Sequence, residues 1–94
     1  MQLTPDNITM FLSMIGSVPV DVHGEKRWYF PASAFASRAD IAADVASGAI
    51  QPWYGGPEDE ESLHVDAAPD ISADKRAWVR QACVDAVNEA AAKL

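Results

Sequence analysis

Apolar residues recur along the chain with two periods, and the switches between them divide it into elements. Ile8, Phe11, Leu12 and Ile15 follow the i, i+3, i+4, i+7 spacing that lines one helix face. Thr4, Pro5 and Asp6 before them form a helix start. The hydroxyl can accept from a free amide, proline has no amide hydrogen to leave unpaired, and the acid suits the positive helix end. Gly16 supplies a left-handed stop, so the pattern predicts a helix over 5–15. Val18, Val20 and Val22 then alternate with Pro19, Asp21 and His23, the period of a half-buried strand. Gly24 breaks that run with Glu25 and Lys26 at the tip, and Arg27 to Phe30 returns as the second strand of a hairpin. Pro19 belongs at a strand start or a sheet edge, because it brings no ladder donor.

Pro31 ends the second strand. Ser37 and Asp40 have capping-box spacing ahead of Ile41, Ala42, Val45 and Ala46, with Gly48 closing the element. This predicts a helix over 38–47, preceded by a helical turn at 32–36. Ile50 to Tyr54 can run extended, but Pro52 and Gly55-Gly56-Pro57 argue against a long regular element. Leu63 to Asp66 alternates and adds a third strand to the hairpin. Ser72 caps a last helix over 73–92, with Asp74 in its first turn. Val79, Cys83, Ala86, Val87, Ala90 and Leu94 share one face of it, and Arg76, Arg80 and Lys93 lie off that face. The expected fold is therefore a single α+β domain over 1–94. Its order is α-β-β-α-β-α, an antiparallel hairpin or three-stranded sheet against about three helices.

Ninety-four residues, half of them apolar, can bury one modest core and leave little room for a deep enclosed cavity. The opening residues carry no basic, apolar leader pattern and the chain no long apolar run, so a cytoplasmic protein without a membrane span is expected. The single Cys83 leaves no internal disulfide and fits a reducing compartment.

Charge changes the picture more than composition does. The net charge is −7, yet residues 1–57 carry five acids against three bases and residues 75–94 four bases against two acids. Residues 58–74 hold seven acids and no base, so one short window contains the whole excess. Nucleic acids and anionic lipids are bound by cations meeting phosphates, which this chain should repel. Its expected partners are basic protein surfaces.

Catalytic chemistry finds little to build on. His23 falls at a hairpin tip, and His64 and Asp66 are two apart on a strand, where they could share a metal without the further ligands a site needs. Cys83, on an apolar helix face, reads as a small core residue. The serines lack a nucleophile-elbow setting, and no glycine-rich phosphate loop is present. Glu58, Asp59, Glu60 and Glu61 are adjacent behind Gly-Gly-Pro, a setting for solvated acids rather than for a carboxyl with a raised pKa.

Trp28, Phe30 and Phe35 read as core. Trp53 and Tyr54 suit a core or a surface equally, and the acids beside them favour an interface in which rings anchor and charges select a basic partner. The expected partner-binding residues are thus Trp53, Tyr54, Glu58, Asp59, Glu60, Glu61, Asp66, Asp70 and Asp74, with no catalytic residue, metal or cofactor. In size and acidity, carried by PEDEES and the acids up to Asp74, the chain resembles small phage and mobile-element inhibitors of the anti-CRISPR type. That resemblance implies a non-catalytic module occupying the nucleic-acid-binding surface of an effector complex. Lys75, Arg76 and Arg80 depart from it, either pairing with the preceding acids or forming a second contact face. Two other readings stand beside it: a small metal-binding protein or enzyme using His64 and Asp66, and a structural or weakly self-associating accessory using Ala82, Ala86 and Ala90, whose four-residue spacing suits packing on a second copy and on this chain's own sheet equally.

Overall fold

In a computed structural model, residues 5–55 and 63–93 are described. They form α1 (Pro5–Met14), β1 (Val18–Val22), β2 (Glu25–Tyr29), a 3-10 turn (Ala32–Phe35), α2 (Ala39–Ser47), β3 (Ile50–Gly55), β4 (Leu63–Ala67) and α3 (Ala73–Ala92). The fold is α+β. Its sheet has four antiparallel strands in the order β1-β2-β3-β4, one more than the alternation of the sequence predicts.

The additional strand is the Pro52 segment. Phe30 donates its N–H to the Pro52 carbonyl at 3.0 Å, one residue beyond the end of β2. Ladder bonds alternate between the two neighbours of a central strand. Pro52 therefore turns its missing donor toward the end of β2, where only Phe30 loses a partner, and the pairing of Pro52 with Val65 on β4 is spared. A proline excluded from most central strands is tolerated at this one.

The β1–β2 hairpin is closed by His23 and Gly24, both with positive φ (53° and 81°). That is the mirror-image turn whose twist matches its strands. Val22 pairs with Glu25, so Glu25 and Lys26 belong to β2 rather than to the tip.

One face of the sheet is covered. Phe30 and Ile50 meet Phe11 and Leu12 of α1, Phe35, Ile41 of α2, and Val79, Cys83, Val87 and Ala90 of α3 in one buried cluster. Trp28, Tyr54, Leu63 and Val65 pack against it from the same side. The last helix spans the predicted residues because Ser72 Oγ accepts from Lys75 N–H at 3.1 Å. At α2 the capping box is not made: Arg38 is the N-cap, with no side-chain cap bond, and Asp40 instead lies 3.6 Å from the Arg38 guanidinium. Thr4 and Leu94 lie outside the described residues. No described helix is long and apolar enough to cross a membrane.

Candidate protein-binding surface

The pleat places Arg27 and Tyr29 of β2, Trp53 of β3, and His64 and Asp66 of β4 on the sheet face away from the helices. They close around Trp53. The Arg27 guanidinium lies 4.1 Å from the indole centroid, and the His64 ring stacks on the same indole at 4.2 Å with planes 21° apart. Tyr29 is tilted against it at 6.5 Å, and the indole N–H donates to Asp66 Oδ2 at 2.8 Å. A hydrogen bond with Tyr29, and after it the Glu25 carboxylate 3.4 Å away, hold the Arg27 pKa above its ordinary value. Trp53 is consequently 6% exposed, although no helix covers it.

This corrects the expected pair of aromatic anchors. Neighbours on a strand face opposite ways, so Trp53 is sealed by polar side chains on the open face while Tyr54 packs half-buried against the core. Asp66 accepts from Trp53, so part of its hydrogen-bonding capacity is turned inward. His64 and Asp66 do share a face, but both are engaged with the indole. Among the described residues no group of three or more His, Cys, Asp or Glu side chains is placed to hold a metal. Glu58, Asp59, Glu60 and Glu61 lie outside the described residues. Gln51 and Asp66 are exposed on this face, and so is the β1 edge, where Val18 is 64% and Val20 45% exposed.

The other two acids meet a different aromatic. Asp70 is exposed in the turn before α3 and Asp74 in its first turn. Trp78, one helical turn further on, is 57% exposed. At 100° per residue Asp74, Trp78, Asp85 and Glu89 fall within a 60° sector of α3, and all four are exposed. This stripe runs along the outer side of the helix, whose inner side carries Val79, Cys83 and Val87. Two of the α3 bases are engaged elsewhere. Lys75 is ion-paired with Asp44 of α2, chiefly through a hydrogen bond that raises the lysine's pKa, and Arg80 donates to the Leu63 carbonyl at 3.0 Å. Asp85 accepts from Gln81 at 3.0 Å. Trp78 is not among the residues expected from the sequence to bind a partner, although it stands next to Val79 and so about a third of a turn off the apolar face of α3.

Cys83 is wholly buried, and burial pushes its thiol up to about 12. The charge of Arg80 opposes that rise but is outweighed by burial, and Cys83 lies in mid-helix rather than at a helix start, so the thiol is not activated as a nucleophile. No family model matches this chain, and neither a curated protein nor a solved structure matches it.

Proposed function

We propose that this chain is a non-catalytic protein-binding module that sets carboxylates and one exposed indole against a basic surface of a partner, in the manner of a small acidic inhibitor. A single observation carries the reading: Trp78 stands 57% exposed on a helix face shared with Asp74, Asp85 and Glu89. An exposed indole is poorly used in water and well used at an interface, where tryptophan is a preferred anchor. Carboxylates around it select a cationic counterpart and speed encounter. The concentration of the whole charge excess in residues 58–74, just before this helix, extends the same sign of field. Where the partner's cations ordinarily hold nucleic-acid phosphates, carboxylate occupancy would block them.

The test is affinity capture from host lysate at low and at high salt, with identification of what elutes. Wild type should capture a basic protein at low salt and release it at high salt. Trp78→Ala should keep the wild-type melting curve and lose capture. The double reversal Asp74→Lys, Asp85→Lys should lose capture with a small fall in melting temperature, because Asp74 suits the positive end of α3. Undiminished capture by the reversed-charge variant would remove the proposal.

A further inference from the structure

We infer that the cleft between α3 and the 3-10 turn is the seat for an amphipathic helix with basic flanks, supplied by the partner. This rests on the binding reading above and names the shape that reading lacks. The cleft has a volume of about 470 Å³ and continues into a smaller one of about 150 Å³, with Ala34, Ser37, Ala86 and Glu89 lining both. Its floor is shallow in side chains. Ala34 forms one wall, and Ala82, Ala86 and Ala90, one turn apart, form the other, so a visiting backbone can come close. Apolar side chains wait at its margins. Met14 at the end of α1 is 46% exposed and lines the cleft, and Trp78 lies one turn beyond Ala82.

Charge chooses the visitor. Asp85 and Glu89 stand four residues apart along the α3 rim, both exposed, so lysines or arginines spaced i, i+4 on a parallel helix would meet them in register. On the opposite wall Arg38 is 3.6 Å from Asp40 and so partly neutralised; Lys93 stands at the far end of the α3 wall. From Trp78 to Lys93 the track is about 22 Å long, which a helix of about 15 residues matches. A second copy of this chain fits less well, because each copy carries a net charge of −7.

The experiment titrates isotope-labelled protein with a synthetic Leu/Lys amphipathic peptide about 15 residues long. A control peptide has the same composition scrambled out of helical period. The amphipathic peptide should shift backbone signals of α3 and the 3-10 turn, and the scrambled one should bind at least about tenfold more weakly. Ser37→Trp, at an exposed position lining the cleft, should fill it and abolish the shifts, and Asp85→Lys with Glu89→Lys should weaken binding and flatten its salt dependence. Shifts confined to the open sheet face, equal affinity for both peptides, or unchanged binding by Ser37→Trp would overturn the inference. So would a concentration-dependent doubling of mass that Ser37→Trp prevents, since the occupant would then be a second copy. The two readings fail separately. If Ser37→Trp keeps the lysate capture that Asp74→Lys, Asp85→Lys loses, the acidic module stands and the helix seat falls.

Discussion

The indole nitrogen of Trp53 donates to an Asp66 carboxylate oxygen at 2.8 Å, diagonally across the β3–β4 ladder. The bond gives the sheet's open face a closed centre. It satisfies the one polar atom of a side chain that is otherwise shut between Arg27 and His64, and it ties edge strand β4 to β3 by a side chain as well as by backbone.

Removing the acceptor should therefore cost more than an ordinary surface change. Asp66→Ala leaves a buried N–H unpaired and is expected to destabilise by about 1–3 kcal/mol. That would lower the melting temperature by roughly 4–8 °C for each kcal/mol in a domain of this size. Asp66→Asn keeps an acceptor and should lose clearly less. Urea denaturation of both variants checks the order, and equal losses would show that the carboxylate's charge matters more than its bond.

Gly55 is the second fixed point of that face. It pairs with Arg27, and a Cβ added to it would lie 2.3 Å from the Lys26 carbonyl oxygen, a backbone atom that cannot swing aside. Gly55→Ala must push β2 and β3 apart where Arg27 is aimed at Trp53. A loss of about 1–3 kcal/mol is expected, as for other overpacked sites. A stability within error of wild type would contradict the close approach.

The three tryptophans report three environments. Trp53 is sealed, Trp28 packs half-buried against the core, and Trp78 is exposed. Acrylamide, being neutral, is not repelled by the acidic surface. It should quench one readily accessible component of the fluorescence, and Trp78→Phe should remove that component along with the longest-wavelength emission while leaving the melting curve unchanged. Retention of the accessible component in Trp78→Phe would mean that another indole is open.

Periodicity carried most of the fold and little of the site, for a physical reason. Ile8, Phe11 and Leu12 on α1, and Val79, Cys83 and Val87 on α3, face one core, so a single hydrophobic stripe records their neighbours. β3 was obscured because Pro52 and Gly55 are strand breakers almost everywhere, and only the early end of β2 makes Pro52 acceptable. Trp53 misleads in a similar way. Its burial comes from Arg27 on β2 and His64 on β4, 26 residues before it and 11 after it in the chain, and no local pattern records such a meeting. The exposure of Trp78 was legible, because the stripe that includes Val79 leaves it out.

Alkaline pH should unfold this protein through Cys83. Burial holds its thiol at about 12 in the folded chain, against an ordinary value of 9.0. Below pH 9 the thiol is protonated in both states and contributes no pH dependence. Between 9 and 12 the unfolded chain gives up the proton while the folded chain keeps it, so stability falls as pH rises, by at most about 1.4 kcal/mol per unit from this group. Lys75 acts in the same direction. Its pKa is raised from 10.5 by Asp44, so the stability it contributes is present below 10.5 and is lost as pH rises through the folded value. Cys83→Ala should lower stability at neutral pH by leaving a small void, yet flatten the decline between 9 and 10.5, whereas Lys75→Met should flatten only the part above it. Denaturant midpoints measured from pH 7 to 11 separate the two. The same burial makes the wild-type thiol slow to react with a disulfide reagent at pH 8, at a rate that should follow the unfolding rate, and prompt labelling of the native protein would contradict the packing of α3 against the sheet.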